Sequence, residues 1–93
     1  MAGYRVINHT DKAVWITIYG PLGKIGYGNV DAGASWDFTA GFWAVGTSYR
    51  LLAEYPTPVP HAWTTETTQV LRHMDFDTMH LKGDANHGYW ANP

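Results

Sequence analysis

Apolar and polar positions alternate with a period of two along most of this chain, a pattern that predicts strands rather than helices. Tyr4, Val6 and Asn8 oppose Arg5, Ile7 and His9, and His9-Thr10-Asp11-Lys12 then supplies turn chemistry. Ala13 to Tyr19 is the strongest strand. Val14, Ile16 and Ile18 face one way and Trp15, Thr17 and Tyr19 the other, so a central strand covered in part on both faces is expected. Gly20-Pro21-Leu22-Gly23 marks a turn into residues 24–30, where Ile25 and Tyr27 share a face and two glycines weaken the strand or mark a bulge. After Asp31-Ala32-Gly33, Trp36 and Phe38 point inward while Ser35, Asp37 and Thr39 point outward. Phe42-Trp43-Ala44-Val45 is short and apolar. Residues 48–55 alternate again, with Tyr49, Leu51, Ala53 and Tyr55 opposite Arg50, Leu52 and Glu54; only the 48–54 stretch also admits a helix.

Pro56, Pro58 and Pro60 end that run and predict an extended crossing between two sheets rather than a hairpin. Beyond them the alternation is poorer. Residues 64–71 read as an edge strand, 74–82 as a last hairpin or one bent strand, and Gly83 to Pro93 as a turn-rich tail. About seven or eight short strands at this spacing predict an all-β fold, a small antiparallel β-sandwich forming a single domain over residues 1–93.

Composition makes such a small core plausible. Five Trp, six Tyr and three Phe supply large apolar rings. There is no cysteine, so nothing staples the fold, and a reducing compartment suits it. The first residues lack the apolar core and cleavage site of a signal peptide, which predicts a cytoplasmic protein or one exported without a cleaved signal. The net charge is −2 and the six Lys and Arg are scattered, so the basic footprint of a nucleic-acid binder is missing. The same scatter, with no amphipathic helix, makes membrane docking the weaker variant of any surface-binding role.

Catalytic chemistry finds little support. The only serines, Ser35 and Ser48, lie outside a nucleophile elbow. His73, His80 and His87 recur every seven residues beside Asp75, Asp77 and Asp84, but on a strand that interval alternates faces. His73, Asp75 and Asp77 share a face if extended, without the glycine and glutamate of a calcium loop. Solvated surface residues are the favoured reading, so no metal and no cofactor is expected. Asp37, Glu54, Glu66 and Asp75 are candidates for a glycosidase pair that sequence alone cannot assemble.

The aromatics carry more. Trp36, Phe38, Tyr49 and Phe76 are assigned to the core, whereas Trp15, Tyr19, Trp43, Trp63, Tyr89 and Trp90 lie where packing does not require a ring. Exposed Trp and Tyr stack on sugars and anchor interfaces. The leading expectation is therefore a non-catalytic recognition module, carbohydrate preferred as ligand, with a patch of Trp43, Trp63, Tyr89 and Trp90 and with Asn86 and His87 as polar partners. The alternative is a structural or toxin-like interaction protein that homo-oligomerises or docks on a partner surface; a metal-dependent enzyme ranks third. Tyr4 to Thr10, Ala13-Val14-Trp15 and Gly33 to Trp36 together resemble the first hairpin of thaumatin-like proteins and of some haemolysin or actinoporin-like sandwiches. That resemblance covers about a third of the chain and implies a β-sandwich. The thaumatin disulfides have no counterpart here, and no activity or functional residue is carried over.

Overall fold

The computed structural model describes residues 2–39, 43–56 and 62–91. Its strands are β1 (Gly3–Asn8), β2 (Val14–Gly20), β3 (Gly23–Val30), β4 (Ser35–Phe38), β5 (Ser48–Glu54), β6 (Thr64–Val70), β7 (Phe76–Gly83) and β8 (Gly88–Ala91). They form two four-stranded sheets, ordered β4-β1-β7-β8 and β3-β2-β5-β6, packed face to face. The alternating apolar residues of both sheets meet between them, as a sandwich requires. Tyr4, Val6, Phe38, Met79 and Leu81 come from one sheet; Val14, Ile16, Ile18, Tyr49, Leu51 and Ala53 come from the other. No helix among the described residues is long and apolar enough to cross a membrane.

Three features differ from the sequence expectation. The sheets are mostly, not wholly, antiparallel: β1 and β7 pair in parallel from Gly3↔Phe76 to Asn8↔Leu81. The chain enters β1 and β7 from the same end of the sandwich, so their shared direction follows from the crossing at 71–75. β5 and β6 are antiparallel neighbours in one sheet, so the proline segment closes a hairpin instead of bridging the two sheets; residues 57–61 of it lie outside those described. Finally, the tail read as turn-rich supplies β8, the antiparallel partner of β7, while 76–83 runs as one strand, the second of the two forms expected for it.

The glycines of β3 have a packing role. The register shifts between Ile18 and Tyr19, leaving Ile25 unpaired as a bulge. Gly26 and Gly28 then lie opposite Ile18 and Ile16 on the inner face. Trp36 and Phe38, reaching across from edge strand β4, fill the space that side chains there would occupy. A Cβ on Gly28 would stand 2.9 Å from the Trp36 ring. Trp36 therefore caps the gap between β3 and β4 with one ring face in water, and it is 45% exposed where full burial is expected.

Candidate functional site

Trp63 closes the opposite edge in the same way. Its ring covers Gly88, where any Cβ would overlap it. It stacks on Tyr55 with ring centroids 4.6 Å apart and donates its indole N–H to the Asp84 carbonyl at 2.7 Å. Trp90, on the inner register of β8 beside Leu81, donates to the Thr65 carbonyl of β6 at 3.2 Å. Trp43 packs edge-on to Tyr4 and lies 4.8 Å from Tyr49, near the start of β5, whereas Trp63 sits on Tyr55 just past its end. The expected patch is thus divided. Trp43, Trp63 and Trp90 are partly buried rings packed against the core. Tyr89 is exposed on the outer face of β8 and stacks on His87 at 5.7 Å. Asn86 lies in the neighbouring turn, its backbone N–H bonded to the Asp84 carboxylate.

The evenly spaced His73, His80 and His87 do not converge. His80, on the outer face of β7, lies 2.9 Å from His9 through facing ring nitrogens. His73 lies 3.6 Å from the Asp77 carboxylate at the other end of the sandwich. His61 lies outside the described residues. Among those residues no three His, Asp or Glu side chains are grouped to hold a metal ion.

A pair of exposed rings lies elsewhere, on the outer face of β3-β2-β5-β6. Sheet register sets it out in rows. Asn29, Trp15, Glu54 and Thr64 form one; Tyr27, Thr17, Leu52 and Glu66 the next; Lys24, Tyr19, Arg50 and Thr68 the third. Trp15 is 42% and Tyr27 59% exposed, with centroids 5.6 Å apart and planes tilted by 33°. Thr17 is buried between the rings. Cations hold the rings at the flanks: Lys24 Nζ lies 4.9 Å from the Tyr27 centroid, and the Arg50 guanidinium lies 4.9 Å from that of Tyr19. Arg50 also reaches Glu66 at 3.6 Å.

Trp15 and Tyr19 are legible in the sequence as residues on the Thr17 face. Tyr27 is not, because its place beside Trp15 depends on the β2–β3 register. These elements define a class, a small β-sandwich presenting an aromatic sheet face. Comparison with models of known protein families, with curated proteins and with solved structures finds no match. The likeness of the first hairpin to thaumatin-like proteins therefore rests on those residues alone.

Proposed function

We propose that this protein is a non-catalytic recognition module that binds carbohydrate on the outer face of β3-β2-β5-β6. One observation carries the reading: Trp15 and Tyr27 stand well exposed, side by side, on a face that no other described element covers. Large rings are expensive to leave in water, and contiguous exposed apolar surface marks a binding site. Trp15, Thr17 and Tyr19 extend for about 14 Å along β2, long enough for more than one sugar ring. Asn29 and Glu54 flank Trp15 on the two neighbouring strands, giving hydroxyl partners beside a stacking surface. The pairing of a flat ring with flanking amide, carboxylate and cationic groups suits a ligand that has C–H faces and a hydroxyl rim.

A glycan array followed by tryptophan-fluorescence titration tests this. Trp15→Ala is expected to cost about 2 kcal/mol of binding, roughly thirty-fold, while leaving the melting temperature close to wild type. Absence of any glycan that binds, or binding unchanged in Trp15→Ala and Tyr27→Ala, counts against it.

The edge of β6 favours a second reading, self-association. Among the described residues this seven-residue strand pairs with β5 alone, leaving its other side as a sheet edge. Light scattering at increasing concentration separates the two, since an oligomer built on the open edge of β6 changes mass with Thr68→Pro, whose N–H points away from β5, and not with Trp15→Ala.

A further inference from the structure

The parallel pairing of β1 with β7 brings together two residues that lie 71 positions apart, His9 and His80. Pairing runs one residue beyond β1, where the His9 N–H donates to the Leu81 carbonyl at 2.8 Å, so the backbone under both rings is held in the sheet. Asn8 faces the core, which sets His9 on the outer face, and His80 alternates with the buried Met79 and Leu81 onto that same face. There His9 Nε2 and His80 Nδ1 face one another at 2.9 Å, in a contact open to solvent. Ile7 and Ala91, the register neighbours of His80 on β1 and β8, put no hydrogen-bonding side chain beside it.

Two facing ring nitrogens restrict what can sit between them. In the neutral pair one nitrogen carries a proton and the other accepts it. With both rings protonated, two like charges would stand at hydrogen-bond distance, so the pair is a poor receptor for an anion. A Lewis acid that prefers imidazole can replace the shared proton. Calcium and magnesium take oxygen ligands and fall away. Copper, nickel and zinc take imidazole. Two metal–nitrogen bonds of about 2.05 Å put their nitrogens about 2.9 Å apart at the right angle of a square-planar or octahedral ion, and about 3.3 Å apart in a tetrahedron. The observed spacing matches the right angle, and the affinity of nitrogen sites for such ions peaks at copper(II). Neither ring is enclosed, so a turn of the side chains aims both lone pairs at one ion without moving the backbone.

We infer that His9 and His80 form a cross-strand site for copper(II), with water in the remaining positions. The ion takes the place of the shared proton, which passes to the remote nitrogen of the ring that held it. The neutral pair therefore loses no net proton. Lys82, aligned with His9 on β7, brings a like charge near the site, but it is exposed and water weakens its repulsion. This site and the aromatic face of the other sheet share no residue, so each can fail without the other.

Calorimetric titration of the full chain with copper(II) chloride tests the inference, at about pH 7.5, where free imidazole is mostly neutral. A saturable site with a micromolar Kd is expected, tighter than for nickel(II) or zinc(II). His9→Ala and His80→Ala are each expected to weaken it by roughly thirtyfold or more, while His73→Ala, at the other end of the sandwich, leaves it unchanged. The electron paramagnetic resonance spectrum of the bound ion is expected to show coupling to two imidazole nitrogens. Bound copper is also expected to shield both rings from diethyl pyrocarbonate while His73 still reacts, a readout on wild type that needs no variant to fold. Absence of saturable binding up to roughly 0.1 mM copper(II) overturns the proposal. So does undiminished binding by folded His9→Ala or His80→Ala, tighter binding of zinc(II) than of copper(II), or a bound ion that leaves both rings reactive.

Discussion

Asn8 shows what a single polar residue does in an otherwise apolar series. It follows Tyr4 and Val6 on the inner face of β1 and is fully buried. Its amide donates to the carbonyls of Lys12 at 2.7 Å and Val30 at 2.9 Å, while its Oδ1 accepts the Thr10 N–H at 2.9 Å and the Thr10 hydroxyl at 2.6 Å. One side chain thus ties the β1–β2 crossing to the end of β3. Asn8→Ala is expected to cost about 3 kcal/mol in urea denaturation, because it strands buried donors and acceptors. Asn8→Asp loses the donors and sets a charge against carbonyls, and is expected to be worse. The alternation places Asn8 inward; its partners come from loops that a strand pattern does not describe. Tyr55 supplies a pH test. Its hydroxyl donates to Asp11, and burial together with that carboxylate pushes its pKa up to about 12. The folded state therefore holds a proton that the unfolded chain releases nearer the ordinary value of about 10. The stability this protects is fully present below pH 10 and is lost as pH rises toward 12. Denaturant midpoints measured across that window should fall, and Tyr55→Phe should fall less. Burial and the Asp77 carboxylate also push the Tyr4 phenol up, so part of the slope remains in that variant.

Each edge of the sandwich that faces another is closed by one indole laid on one glycine, Trp36 on Gly28 and Trp63 on Gly88. The two closures differ in how much room the ring has. Trp36 belongs to an exposed edge strand and is able to yield, so Gly28→Ala is expected to cost about 1 kcal/mol. Trp63 is held by its stack on Tyr55 and by its hydrogen bond to Asp84, so Gly88→Ala is expected to cost about 3 kcal/mol. A thermal-melt double-mutant cycle checks the cause: in a Trp63→Ala background the Gly88→Ala penalty should largely disappear. Most strands are plain in the sequence, because a period of two survives wherever one face is buried; β8, four residues inside the turn-rich tail, is not. Ring-to-glycine pairings are not, since Gly28 and Trp36 belong to different sheets and only the packing of those sheets makes them neighbours. Likewise, only the packing of the sheets shows that Trp43, Trp63 and Trp90 are partly buried against the core, Trp63 over Gly88. A Trp in a polar stretch looks superfluous until the glycine beneath it is known.

At the scale of the whole molecule, the parallel pairing of β1 with β7 joins segments from opposite ends of the chain. Neither neighbour of β1 in its sheet is local: β4 arrives only after the first hairpin, and β7 after six strands. A single cooperative unfolding transition is therefore expected, with refolding in the millisecond-to-second range typical of sandwiches dominated by long-range contacts. A fragment ending at residue 75 should give a circular dichroism spectrum without folded strand signal, since it leaves β1 open on one side. Two overlapping transitions would contradict this. By itself the sequence determined the all-β class, the extent of most strands and the inner face of β1, β2, β4 and β5, because alternation and turn chemistry are local properties. It also placed Trp15 and Tyr19 on one face. Tertiary structure alone decided the strand order, the parallel pair, the hairpin across the prolines, the company of Tyr27 beside Trp15 and the meeting of His9 with His80. Each of those depends on which distant strands become neighbours. That choice is made by the summed burial of two sheets, and no single stretch of the chain records it.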